Sequence, residues 1–193
     1  MPAFREIKTR KLRPSVSAQL ILVVLAVTVA LCALAGCKEV RKPPADFQKA
    51  TVEYVIDGDT VDVIVDGHEK RVRLASIDAP ESASHDAEVN TEEGARATDF
   101  LRTLLPEGRA VYLQKDSSET DKYGRLVRYV WLEVPDEPYS EEDIATKMVN
   151  SLVVEAGFAR AERYWPDIAY LEQLREAQQR AVAARAGVSY LWA

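Results

Sequence analysis

Val61, Val63 and Val65 alternate along one short run, Asp66-Gly67 follows, and the chain returns as RVRLASI over residues 71–77. Asp-Gly between two alternating apolar runs is the strongest short-range signal for a β-hairpin with a two-residue type I′ loop. A loop of that length fixes the register, so Val65 faces His68, Asp62 faces Arg71 and Thr60 faces Arg73. Asp59 then lies one diagonal step from Arg73, within reach of a long side chain if twist or a bulge cooperates. The spacing leaves open whether the two share a face. The rim of the hairpin is charged, with Asp57 and Asp59 before it and Asp78 and Glu81 after it. Such a group is either a solvated edge or a reaction site.

The rest of the chain supplies more strands and some helices. NTEEGARATDFLRTLLPEG has Asn90 or Thr91 as a cap and acidic residues in its first turn. Its apolar stripe is Ala97, Phe100, Leu101, Leu104 and Leu105, and Pro106 and Gly108 stop it. AVYLQ and LVRYVWLEV read as two strands joined by the polar KDSSETDKYGR. PDEPYSEED, residues 135–143, reads as an acidic surface loop with a short helical turn. A short helix over 150–156 ends at Gly157, and a last helix runs from Asp167 to Gly187. Its inward row is Ile168, Leu171, Leu174, Ala177 and Ala181. Short strands with three helices give an α+β domain, most simply a five-stranded barrel with helices packed on it.

The N-terminal residues are of another kind. MPAFREIKTRKLRPS is basic and AQLILVVLAVTVALCALAG is uncharged and apolar, the two parts of an export signal. The apolar run ends in LAGC, which resembles a bacterial lipobox. It predicts a lipoprotein signal over 1–36, a lipidated Cys37, and a tether through residue 50 that includes Pro43 and Pro44. An uncleaved anchor is the alternative, because residues 14–37 carry no charge and about 20 residues span a bilayer. Either arrangement places the remainder on the extracytoplasmic face of a membrane. Without its five basic and one acidic residues, the chain keeps 20 basic and 30 acidic ones, a net charge of about −10. That charge argues against broad, nonspecific adhesion to nucleic acid and leaves room for a local basic cleft. Cys32 leaves with the signal, so the mature domain has no cysteine pair.

His68 sits beside a tight turn and His85 follows Glu81, with no cysteine or histidine at ligand spacing, which argues against zinc. No nucleophile elbow or phosphate-cradling glycine loop occurs. Chemistry on this chain must use carboxylates and arginines. Phosphodiester hydrolysis suits that inventory, since a hard cation in an oxygen cage neutralises charge building on the phosphate. Asp59 and Asp78 fit as metal ligands, Arg73 and Arg125 as phosphate clamps, and Glu81 as the base that activates water.

The ordered set VIDGDTV, RVRL, IDAPE, DKYGR, MVNSLV with GFA, and a final LW resembles the staphylococcal nuclease (thermonuclease) family over residues 51–192. The resemblance implies an oligonucleotide-binding (OB-fold) five-stranded barrel with three α-helices. It further implies Ca²⁺-dependent endonucleolytic cleavage of DNA and RNA that leaves 3′-phosphate ends. On its motifs, Asp59 and Asp78 fall on the Ca²⁺ ligands and Asp57 on a supporting carboxylate. Glu81 falls on the general base, and Arg73 and Arg125 on the phosphate-binding arginines. Ala79 stands where the family often has threonine and uses only its main-chain carbonyl. Lys122 and Tyr123 match positions near the nucleotide's terminal phosphate and sugar, and Tyr164 aligns with a base-packing tyrosine. The acidic segment 135–143 departs from the family pattern. The expectation is a monomeric, lipid-anchored nuclease. A catalytically silent nucleic-acid-binding module and a purely structural lipoprotein domain are the competing readings.

Overall fold

A computed structural model describes residues 46–82, 90–137 and 139–193. The expected export signal, Cys37, the first part of the expected tether and His85 lie outside the described residues. Among the described residues, no helix is long and apolar enough to cross a membrane. The strands are β1 (Phe47–Asp57), β2 (Thr60–Val65), β3 (His68–Leu74), β4 (Ile77–Asp78), β5 (Ala110–Gln114), β6 (Leu126–Trp131) and β7 (Arg160–Ala161). Five of them close into a barrel in the order β1-β2-β3-β6-β5, and β4 pairs with β7 beside it. All barrel pairings are antiparallel except β3 with β6, so the barrel is mixed.

The hairpin has the expected register, with Val65 opposite His68, Asp62 opposite Arg71 and Thr60 opposite Arg73. Asp66 (φ 51°) and Gly67 (φ 78°) both take the left-handed conformation that a type I′ loop requires. Val61, Val63 and Val65 point into the barrel and are buried. β1 serves two neighbours. Residues 47–51 pair with β5, residues 51–57 pair with β2, and irregularities near Val52 and Val55 bend the strand between them. It begins at Phe47, ahead of the expected Thr51, so residues 47–50 belong to the barrel and not to a tether. The cause is tertiary, because the Phe47 ring packs edge-on against Trp131 at 6.0 Å and Ala50 is buried.

Four α-helices are present among the described residues, where three were expected. They are α1 (Glu92–Leu104), α2 (Glu141–Lys147), α3 (Val149–Glu155) and α4 (Leu171–Ala184). The additional one, α2, starts inside the supposed acidic loop. The Ser140 side chain caps it by accepting from the Asp143 amide at 3.1 Å, and Glu141 and Glu142 complement its dipole. Met148 interrupts α2 and α3 in an extended conformation, because it is buried and bridges to Trp131. Thr91, and not Asn90, caps α1 by accepting from the Gly94 amide at 3.0 Å. α4 stops at Ala184, short of the expected Gly187, where Arg185 turns left-handed at φ 52°.

Asn150 ties helix to barrel. Its Oδ1 accepts from the Val130 amide at 2.9 Å and its Nδ2 donates to the Ala75 carbonyl at 2.8 Å, and the residue is fully buried. Asn150→Ala leaves both backbone groups without partners, each at about 1–3 kcal/mol. The variant is expected to lose at least about 2 kcal/mol of unfolding free energy in urea denaturation. A midpoint equal to wild type would remove this residue from the framework.

Candidate active site

The DGDT segment is itself a tight turn. Asp57 pairs with Thr60 across β1 and β2, and the Asp57 carboxylate accepts from the Asp59 amide at 3.0 Å. The turn is pressed between two other segments. A Cβ placed on Gly58 would stand 2.7 Å from the Ala79 Cβ and 2.8 Å from the Ala97 Cβ on α1. One turn of α1 away, Gly94 lies against the Glu81 carbonyl, which also accepts from the Thr91 amide at 2.9 Å. Helix α1 therefore clamps the turn carrying Asp59 to the loop carrying Asp78 and Glu81.

Asp59 and Asp78 meet at Arg73. One guanidinium nitrogen, Nη2, lies 3.0 Å from Asp59 Oδ2 and 3.2 Å from Asp78 Oδ1. The hairpin diagonal left open by the sequence is thus closed, and the two residues share a face. The other nitrogen, Nη1, donates to the carbonyls of Leu74 at 3.0 Å and Ile77 at 2.8 Å, which fixes the plane of the fork. Asp59 also accepts from the Ala79 amide at 2.9 Å and the Thr60 hydroxyl at 3.0 Å. Burial nonetheless pushes its carboxyl up to about 7. Arg73 pulls the other way and Asp57 adds to the rise. Burial is the larger effect.

Asp78 has further partners. Its Oδ2 is 3.0 Å from Arg160, its residue partner across the β4–β7 ladder, and its Oδ1 accepts from the Tyr164 hydroxyl at 3.2 Å. Burial and the charge of Asp78 hold the Tyr164 phenol up at about 12, so it stays a donor. The Arg73 guanidinium sits 5.6 Å from the centre of the Tyr164 ring. Partial burial first, and then the charge of Asp57, raise the Glu81 carboxyl above the usual range, with Arg73 opposing.

Arg125 comes from a separate loop. In DKYGR, the Asp121 carboxylate accepts from the amides of Tyr123 at 2.9 Å and Arg125 at 3.0 Å, and from Arg125 Nε at 2.7 Å. Burial pushes Asp121 up, but these bonds together hold it below the ordinary carboxylate range. Arg125 Nη1 lies 3.5 Å from the Thr60 hydroxyl, which links it to Asp59. Lys122 and Arg125 lie 4.9 and 5.4 Å from the centre of the exposed Tyr123 ring.

All of these groups line one open cleft of about 640 Å³: Asp57, Asp59, Arg73, Asp78 and Glu81 with Lys122, Tyr123, Arg125 and Tyr164. Ala79 stands beside it and contributes its amide to Asp59. Asp121, Trp165 and Asp167 also line the cleft, and sequence reasoning gave them no part in the site. The Asp121-to-Arg125 spacing was a readable signal, whereas Arg160 on Asp78 depends on a pairing between distant segments. Among the described residues, no three His, Cys, Asp or Glu gather as a metal cluster. Two carboxylates that reach the same nitrogen can reach one ion. Further donors would then be main-chain carbonyls and water, a hard-oxygen set that suits Ca²⁺ better than zinc.

Gly94→Ala puts a methyl group into the Glu81 carbonyl. A helix ordinarily gains about 1 kcal/mol from that exchange. Here the variant is expected to be less stable by about 1–3 kcal/mol, read from urea denaturation. A stabilised variant would mean that α1 does not clamp this loop.

A family model described as staphylococcal nuclease homologue matches residues 71–193. A thermonuclease of Staphylococcus hyicus is 34% identical over 137 residues, covering 71% of this chain and 73% of the relative. A thermonuclease of Staphylococcus intermedius is 35% identical over 130 residues, covering 67% and 69%. A micrococcal nuclease of Shigella flexneri is 35% identical over 121 residues, covering 63% and 62%. The chain belongs to the staphylococcal nuclease family, a family of hydrolases.

Proposed function

We propose that this member of the family is a Ca²⁺-dependent nuclease that hydrolyses phosphodiester bonds of DNA or RNA outside the cytoplasm, as a monomer. The observation that carries the reading is the convergence of Asp59 and Asp78 on one nitrogen of Arg73, in the cleft that also holds Glu81 and Arg125. Asp59, Asp78 and the main-chain carbonyl of Ala79 would hold Ca²⁺, which supplies charge neutralisation on the phosphate. Arg73, its plane set by the Leu74 and Ile77 carbonyls, offers its guanidinium to the phosphate oxygens. Arg125, aimed by Asp121, presents a second cation. Glu81 takes a proton from the attacking water, and its raised affinity for protons suits that task. Asp57 supports the turn, and Lys122, Tyr123 and Tyr164 contact the nucleotide. The family resemblance supports 3′-phosphate products. The silent-module reading loses ground because every expected acidic and cationic position is filled.

Cleavage of a labelled oligonucleotide by the purified chain is expected in Ca²⁺ and absent in EGTA. Arg73→Ala or Glu81→Gln is expected to lower kcat by at least about 100-fold. The sign of the pH effect follows from Asp59. A carboxyl raised to about 7 in the folded chain favours folding most below its unfolded value, and that contribution is lost as pH rises through about 7. Cation binding needs the ionised form, so the Ca²⁺-induced rise in Tm should be larger at about pH 8 than at about pH 5.5. Oligonucleotide binding without Ca²⁺-dependent cleavage would support the silent module instead.

We further propose that the signal over residues 1–36 is removed and that Cys37 is acylated. A short tether then carries the nuclease domain, 51–192 extended back to Phe47, on the extracytoplasmic face of a bacterial membrane. Metabolic labelling with a fatty-acid analogue should mark the wild-type chain and not Cys37→Ser. Equal labelling of the two would exclude this anchor.

A further inference from the structure

A second hollow opens beside the cleft and shares Tyr123 and Arg125 with it. Its volume is about 390 Å³, and Asp62, Glu69, Arg71 and Gly124 complete its wall. Arg71 and Arg73 are two residues apart on β3, with the fully buried Val72 between them. Both arginines therefore point away from the barrel interior, their Cα atoms about 7 Å apart along the strand. Asp62 lies opposite Arg71 on β2, and its carboxylate accepts from Nε at 2.7 Å and from Nη2 at 2.8 Å. Only 8% of the Asp62 side chain is accessible, against 50% of the Arg71 side chain. The carboxylate is thus a buried brace, and the guanidinium it holds faces the hollow. Among the described residues, Arg71 Nη1 has no partner. The same device aims Arg125, whose Nε donates to Asp121 at 2.7 Å.

We propose that Arg71 is a second phosphate-binding residue, taking the backbone phosphate next to the one held by Arg73 and Arg125. The proposal rests on the nuclease reading of the cleft. A strand leaving the cleft past Arg125 enters this hollow directly, because Arg125 and Tyr123 belong to both. Two residues of β-strand are comparable in length to one nucleotide of extended single strand, so successive phosphates meet Arg73 and Arg71 in turn. Bracing by Asp62 fixes the fork in advance, which removes much of the ordering that a loose arginine side chain opposes to binding. The brace also cancels the long-range charge of Arg71, so the contact acts by hydrogen bonding at short range. Glu69, exposed two residues further along the same face, repels the phosphate after that. The subsite is one phosphate long.

The test uses short single-stranded oligonucleotides in which each phosphate in turn is an uncharged methylphosphonate. Products formed in Ca²⁺ identify the bond cut and hence the register of each strand. In wild type, one methylphosphonate adjacent to the scissile bond should lower kcat/KM about tenfold, the scale of one charge-assisted hydrogen bond. The position beyond it should cost nothing or favour binding, because Glu69 faces it. Asp62→Thr combined with Arg71→Thr replaces the ion pair by a cross-strand pair that suits a hairpin. In this double variant the charged and neutral strands should be cleaved alike, at the wild type's neutral-strand level, while Arg71→Lys keeps part of the discrimination. Binding to the Glu81→Gln chain in Ca²⁺ should show a log–log salt slope shallower by about 0.7 when the Asp62–Arg71 pair is also replaced. Discrimination that persists in the double variant overturns the proposal, as does an equal loss at every position, which would mark a structural role. Position-dependent binding with no cleavage by the wild-type chain would sink the nuclease reading and keep the phosphate subsite. Cleavage indifferent to the flanking phosphates would sink the subsite alone, and neither cleavage nor binding would sink both.

Discussion

Two carboxylates facing one guanidinium nitrogen is the constraint from which the rest of the site follows. Asp59 is almost wholly buried, and a buried carboxylate is unfavourable unless its oxygens are matched. The fold answers with an amide from Ala79, a hydroxyl from Thr60 and a shared cation from Arg73. None of these partners is in Asp59's own strand segment except Thr60. Meeting them requires β3 to lie beside the β1–β2 turn and the loop after β4 to fold back over it. Closure of the barrel is therefore coupled to placement of the acidic group, and α1 holds the arrangement by packing on Gly58 and Glu81.

The same coupling explains why the cleft is rigid on one side and open on the other. Arg73 has both ends of its fork engaged, by carbonyls on Nη1 and carboxylates on Nη2. Arg125 has its Nε engaged by Asp121, in a turn that also presents Lys122 and Tyr123 to solvent. The first arginine belongs to the barrel wall and the second to a loop, so a ligand meets one fixed cation and one that is only tethered.

Local rules account for what could be read from the residues. The Asp66-Gly67 loop admits one register, and that register carries Arg73 to Thr60 and next to Asp59. The α1 stripe and its cap follow from helical period and from Thr91. What escaped was non-local. Phe47 joins the barrel because Trp131, far along the chain, offers it a ring to pack on. α2 exists because Ser140 and Asp143 close a cap within a segment whose composition reads as loop. Arg160 reaches Asp78 through a two-residue ladder that no periodicity announces, and Asp167 joins two loops by amides that carry no side-chain signal. The pairings that give Asp78 its further contacts are the least local facts of the fold, and hence the least legible.

Charge distribution then bears on how a polyanion is held. Carboxylates outnumber cationic groups along the cleft, so long-range attraction contributes little to capture. Glu141, Glu142, Glu155 and Glu176 line a separate groove with Arg180 and add to the acidic surface. Two short-range sources of affinity remain. One is a divalent cation at Asp59 and Asp78, which would reverse the local sign where the phosphate sits. The other is ring surface, and here Tyr123 and Trp165 are both more than two-thirds exposed at the rim. Stacking does not depend on net charge and is weakly screened by salt, whereas phosphate contacts weaken as counterions compete. A nuclease of this family with an acidic surface would thus depend on exposed rings more than a basic relative would.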